Sequence, residues 1–291
     1  MRIADATSYR NLVERLHMLN ERLEQASREV STGKRLTRPQ DAPAESAEVV
    51  RLAAELDGID QYRANADDSG FFLHVAESTL NSLHEILTTI FTRGSAAANS
   101  FQDASVRRTL AGEIRSLRDE IFSLANTQVR GRYLFAGSRV TSPAFAIDGD
   151  TVTYLGDEVV NSVKIAGGLE VVQNIPGSTA FGAAFSDIGQ LLAAVESGDP
   201  AVIRSALDRF DVTLSSLGRV RTSLGVELAK LEDSAIMLQA QETQIAARRA
   251  HVEDADLAAA ITRLNQTQTA LQAALGAGSL LRRLNLFDYL G

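Results

Sequence analysis

Four histidines, at positions 17, 74, 84 and 251, and a few clustered carboxylates are the residues of this chain whose types could bind metal or move protons. The histidines do not fall at the three- to five-residue spacing that puts two ligands on one helix face; His74 and His84 are ten apart. There is no cysteine, so thiolate ligands, cysteine nucleophiles and disulfides are excluded. Asp67-Asp68 and Glu253-Asp254-Ala255-Asp256 could supply paired carboxylates for acid–base work. They read more simply as helix N-terminal turns and solvated faces, where the helix dipole favours acids. No GxSxG elbow, HExxH or P-loop occurs, and Gly276-Ala277-Gly278 lacks the final glycine of a dinucleotide fingerprint. No residue is therefore nominated as catalytic, metal-binding or cofactor-binding, and an enzyme is not expected.

The elements that would have to position any site are helical. Tyr9, Leu12, Leu16, Leu19, Leu23, Ala26 and Val30 are spaced alternately by three and four residues, which puts them on one stripe of a helix. Ser31-Thr32-Gly33 reads as its end, with Gly33 in the left-handed position. Leu257, Ile261, Leu264, Gln268, Leu271 and Leu275 form a matching stripe near the other terminus. A second stripe precedes it at Leu224, Leu228, Leu231, Ala235, Leu238, Glu242, Ile245, Arg249 and Val252, and residues 203–275 are read as one or two very long helices. Further seams run from Leu110 to Leu124 and from Ile203 to Leu217, the latter opened by the N-cap Asp199 and Pro200. Leu73, Leu80, Leu83, Leu87 and Ile90 predict a helix around 65–98.

Residues 138–184 differ in texture. They are rich in glycine and β-branched residues, which predicts short strands and turns. The expected fold is mainly α: a long antiparallel helical bundle or coiled coil with paired N- and C-terminal helices and a small β-containing insertion. The expected divisions are an N-terminal assembly helix at 1–35, helical body at 36–137 and 185–254, the β-rich unit at 138–184, and a C-terminal assembly helix at 255–291.

Aromatic residues make up 5% of the chain and Trp is absent, which suits Leu- and Ala-rich helix packing. The net charge of −8 argues against nonspecific nucleic-acid binding. No run reaches the roughly 18 apolar residues that span a bilayer, and Met1–Arg10 lacks the apolar core of a cleaved secretion signal. A single stripe on the first helix is worth about 15 kcal/mol, against about 25–50 kcal/mol for ordering its backbone. The terminal stripes must therefore find partners: each other, neighbouring copies, or both. Poor order of 1–35 and 255–291 in a free monomer is the corresponding expectation.

The segment STGKRLTRPQDAPAES, residues 31–46, resembles the N-terminal region of the bacterial flagellin superfamily. Its Arg38-Pro39-Gln40-Asp41-Ala42-Pro43 turn, with GRYLFAGS at 131–138 and LNQTQTALQAALGAGSLLRRLNLFDYLG at 264–291, is closer to the hook-associated protein 3 (hook–filament junction) branch than to flagellin itself. The resemblance implies a non-enzymatic axial subunit between hook-associated protein 1 and flagellin. It also implies uncleaved type III export, a dedicated chaperone over the C-terminal helix, and an extracellular place on the flagellum. The assembly residues would be Tyr9, Leu12, Leu16, Leu19, Leu23, Val30, Leu257, Ile261, Leu264, Leu271 and Leu275, with Arg38, Pro39, Asp41 and Pro43 forming the family turn. A flagellin filament subunit is the alternative, and a soluble coiled-coil signalling or adhesion module a more distant one.

Overall fold

A computed structural model describes residues 2–40, 42–99 and 103–290, with side chains described except at 2–6, 8 and 280–290. Among the described residues six α-helices and six short strands follow in the order α1 (Arg2–Thr32), α2 (Pro43–Ala98), α3 (Ala104–Ala125), β1 (Gln128–Val129), β2 (Arg132–Tyr133), β3 (Phe145–Asp148), β4 (Thr151–Tyr154), β5 (Ser162–Ala166), β6 (Leu169–Val172), α4 (Ala183–Ser197), α5 (Pro200–Glu253) and α6 (Leu257–Leu290). A single π turn, Ser178–Gly182, leads into α4. The chain forms two compact units: residues up to Gly58 with those from Gln241 onward, and Ile59–Ala240.

The larger unit is built on a seven-residue repeat. Ile59, Ala66, Leu73, Leu80 and Leu87 are buried on α2, with Ala76, Leu83, Ile90 and Ala97 interleaved. On α5 the same interval recurs at Ile203, Phe210, Leu217, Leu224, Leu231 and Leu238, all buried. A 3.5-residue average period keeps both seams facing a partner along long helices. The two helices run antiparallel: Gly70 lies against Leu231, and Glu77 pairs with Arg221 at 2.9 Å. α2 begins at Pro43, well before the expected 65, because Leu52 and Ile59 continue its repeat backwards. Pro43 suits the first helical position, and the Ser46 N–H donates to the Ala42 carbonyl at 2.9 Å. At the start of α5, Asp199 caps the Ala201 N–H at 2.8 Å, as its Asp-Pro pair predicts.

The α5 seam departs from its expected positions: Ala235 is exposed, and Ser234 is buried instead. Ser234 can be buried because its hydroxyl donates to the Ile165 carbonyl at 2.9 Å. Asp67-Asp68 lies in the middle of α2 rather than in a helix N-terminal turn, and Asp68 pairs with Arg130 at 2.7 Å.

The strands make three separate antiparallel hairpins, not one sheet. β1–β2 lies ahead of residue 138, and β3–β4 and β5–β6 fall within 138–184. Instead of pairing with one another, the hairpins pack against the helices. Asn65 donates to the Lys164 carbonyl at 2.9 Å and, with Ser234, holds β5 at its bulge. The sparse aromatics gather here: Phe135 lies edge-on to Phe181 at 4.9 Å, and Phe145 packs on Tyr154 and Phe185 at 5.1 and 5.2 Å. The Tyr154 hydroxyl sits 2.8 Å from the Asp157 carbonyl and 3.2 Å from that of Phe135, and accepts from the Gly177 N–H at 3.3 Å. This knot gives GRYLFAGS its structural role, which is to tie the segment after β2 to the end of β4.

Candidate assembly interface

The smaller unit holds the two terminal helices. α1 lies antiparallel to α6: Glu29 meets Arg263 at 2.5 Å, and seventeen residues earlier Leu12 meets Gly278. The approach at Gly278 is close. A Cβ there would come within 2.9 Å of Leu12 Cδ2, so the glycine leaves room for that leucine. Ala26 and Ala260 are buried, consistent with tight packing by small residues.

On α1, Leu12, Leu16, Leu19, Leu23 and Val30 are half-buried, while Tyr9 is 64% exposed. On α6 the covered row is Ala260, Leu264, Thr267, Leu271, Ala274 and Gly278. Leu264 and Leu271 thus belong to the seam with α1. Leu257, Ile261 and Leu275 do not: they are 47%, 47% and 54% exposed. The expected C-terminal stripe is broader than one partner can cover. One edge is used within the chain, and the other faces solvent.

A joint closes the base of the pair. Gly33 ends α1 with φ 70°. The Ala255 N–H donates to its carbonyl at 2.9 Å, and the Arg35 N–H donates to the Glu253 carbonyl at 2.8 Å. Lys34 and Asp254 form an isolated β-bridge between these strands of chain. Glu253, its side chain 12% exposed, receives Lys34 Nζ at 2.5 Å and Arg249 Nε at 2.9 Å. Burial pushes the Glu253 carboxyl up, but the hydrogen bonds from Lys34 and Arg249 outweigh it and hold the group below its ordinary range. Arg35 reaches Glu45 at 2.5 Å and the Val252 carbonyl at 2.9 Å. Asp256 caps α6 by accepting from the Ala259 N–H at 3.1 Å. The acidic run after α5 therefore divides its work: Asp256 is the helix cap expected, whereas Glu253 anchors the Lys34 turn.

In the family turn, Arg38 is exposed and non-helical, Pro39 opens a turn, and Pro43 starts α2; Asp41 lies outside the described residues. Sequence reasoning missed Glu29, Lys34, Glu253, Arg263 and Gly278. Glu29 carried a signal, since a glutamate beside Ala26 and Val30 on an apolar stripe needs a cation opposite it. Among the described residues no cluster of three or more His, Asp or Glu side chains is placed to hold a metal ion. Nor is any helix among them long and apolar enough to cross a membrane.

Residues 3–140 match the bacterial flagellin N-terminal helical region, and residues 207–290 match the bacterial flagellin C-terminal helical region. The chain is 24% identical to flagellar hook-associated protein 3 of Escherichia coli, over 89% of this chain and 90% of that protein. It is 23% identical to a flagellin of Listeria innocua, over 94% and 91% respectively. The crystal structure of the flagellar junction protein FlgL from Legionella pneumophila shares the fold, with a TM-score of 0.61 at 15% identity, covering 70% of this chain and 99% of that one. With matches at both ends and a mainly helical fold, this chain belongs to the bacterial flagellin family, whose members are structural components of the flagellum.

Proposed function

We propose that the chain is the structural subunit that joins the flagellar hook to its filament. It packs through its terminal helices against further copies of itself, with hook-associated protein 1 on one side and flagellin on the other. The observation that carries this reading is the half-covered α1–α6 pair, which leaves Tyr9, Leu257, Ile261 and Leu275 outside. Apolar residues that a two-helix seam cannot cover are covered by neighbours in a polymer. The junction role is favoured over flagellin by the Arg38–Pro43 turn, the small β unit and the Phe287-Asp288-Tyr289-Leu290-Gly291 ending, together with the full-length likeness to hook-associated protein 3.

The role is structural, without catalysis or a bound cofactor. The chain leaves the cell through the flagellar type III apparatus and resides extracellularly, where hook meets filament. Before export a chaperone covers α6, because an exposed Leu257–Leu275 edge invites premature association.

Deleting the gene tests the reading. Cells should retain hooks, lack attached filaments, and shed flagellin into the medium. Normal filaments in the deletion strain, or long filaments grown from the purified protein alone, would reject the junction role.

A further inference from the structure

Glu29 is a charged residue on an apolar seam. It lies between Ala26 and Val30 on α1 and is 4% exposed. Both carboxylate oxygens are used: Oε1 accepts from Gln25 at 3.2 Å, and Oε2 accepts from Arg263 of α6 at 2.5 Å. A buried ion pair adds little net stability over well-packed apolar residues, because desolvating two charges offsets their attraction. What such a pair can supply is register.

The apolar residues of this seam leave register open. Leu12 meets Gly278. Counting by sevens, forward on α1 and back on α6, sets Leu19 against Leu271 and Ala26 against Leu264. Sliding α6 by one heptad, about 10 Å of helix, still matches apolar to apolar. One slip sets Leu12 against Leu271 and Leu19 against Leu264. The opposite slip sets Leu19 against Gly278 and Ala26 against Leu271. The charges do not repeat in this way. The first slip brings Glu29 to Asp256 and Arg22 to Arg263, like against like; the second brings Glu29 to Ala270, which offers no cation. Either slip buries a carboxylate without its cation, which is the costly state of an ion pair.

We propose that Glu29 and Arg263 determine specificity within the terminal pair: they select one register of α1 on α6, while the seam leucines supply adhesion. The proposal rests on the assembly reading for its purpose only, since a slip would carry Leu257, Ile261 and Leu275 out of line with Tyr9.

Disulfide trapping in purified full-length protein reads the register. The native chain has no cysteine, and a disulfide tolerates Cβ separations of only about 3.5–4.5 Å. Leu12→Cys with Gly278→Cys reports the register described above. Leu12→Cys with Leu271→Cys reports one slip, and Leu19→Cys with Gly278→Cys the other. Oxidation accumulates even a transient pairing, so the comparison needs neither a flagellum nor ordered ends.

The first pair should close within the chain about tenfold or more faster than either of the others. Glu29→Leu with Arg263→Leu should keep the helix content but bring the three rates within about threefold of one another. Exchanging the charges, Glu29→Arg with Arg263→Glu, should restore the preference. Three similar rates with the native charges would overturn the proposal, as would an undiminished preference in the leucine variant or bonds that form only between chains. Loss of helix content in the leucine variant would make the pair merely structural, and would overturn it too. Any of these failures leaves the junction reading standing, because the gene deletion tests that separately.

Discussion

Replacing Glu253 by Gln tests whether charge holds the joint beneath the terminal helices. The carboxylate accepts from Lys34 and Arg249, and both bonds are charge-assisted. Such bonds contribute about 1.5–3 kcal/mol each, against about 0.5–1.5 kcal/mol for a bond to a neutral acceptor. Glutamine keeps the shape but only one acceptor, and the two cations use different oxygens, so one bond is weakened by about 1 kcal/mol and the other, about 1.5–3 kcal/mol, is lost outright. Lys34 and Arg249 are 43% and 35% exposed, and water recovers much of that. The net loss is about 1–2 kcal/mol, roughly tenfold in the opening equilibrium at 1.36 kcal/mol per decade.

The readout is amide exchange at Arg35 and Ala255, whose N–H groups bond across the joint. Both should exchange about tenfold faster in the variant, while exchange in the Ile59–Ala240 unit should not change. The native protein has a matching pH signature. Glu253 titrates below its ordinary 4.5 when folded, so its contribution is complete above that value and disappears as acid passes through the lower folded pKa. After correction for intrinsic rates, protection at these two amides should fall in that acid window, and the Glu253→Gln variant should lack this step. Unchanged protection in the variant at neutral pH would refute the argument and assign the joint to its backbone bonds alone.

Two further outcomes separate folding from assembly. Leu257→Asp with Ile261→Asp alters exposed positions, so thermal unfolding should shift by no more than about 0.5 kcal/mol per site while filament attachment is lost, scored by motility and electron microscopy. Tyr154→Phe removes a hydroxyl that serves the Phe135 and Asp157 carbonyls, and should destabilise the larger unit by about 1–3 kcal/mol in denaturant titration.

The helices were readable because their burial follows from apolar spacing. Tyr9 to Val30 and Ile203 to Leu217 mark elements without reference to anything distant. What escaped depends on partners far away in the chain. Ser234 takes a core position because Ile165, sixty-nine residues earlier, offers a carbonyl. The division of labour between Glu253 and Asp256 follows from where Lys34 lands. The strands of 138–184 were expected, but their independence was not, since the Asn65 and Ser234 contacts that hold β5 on the helices are long-range. The split of the α6 stripe, with Leu264 and Leu271 inside and Leu257 and Leu275 outside, depends on which edge of α6 is turned to α1, which the spacing of its own residues does not reveal.

The three hairpins share no ladder, so each can change length without rethreading the others. They are not equally free. The β3–β4 tip is fastened where Asp150 receives the buried Arg118 at 2.6 Å, so residues inserted there would pull against a cation that needs its anion. The β5–β6 tip at Gly167-Gly168 is exposed, and the bonds from Asn65 and Ser234 that hold β5 end at Ile165, short of the tip. Surface decoration, foreign epitopes and natural variation in size should therefore accumulate at that one corner, leaving the helical framework and its ends untouched.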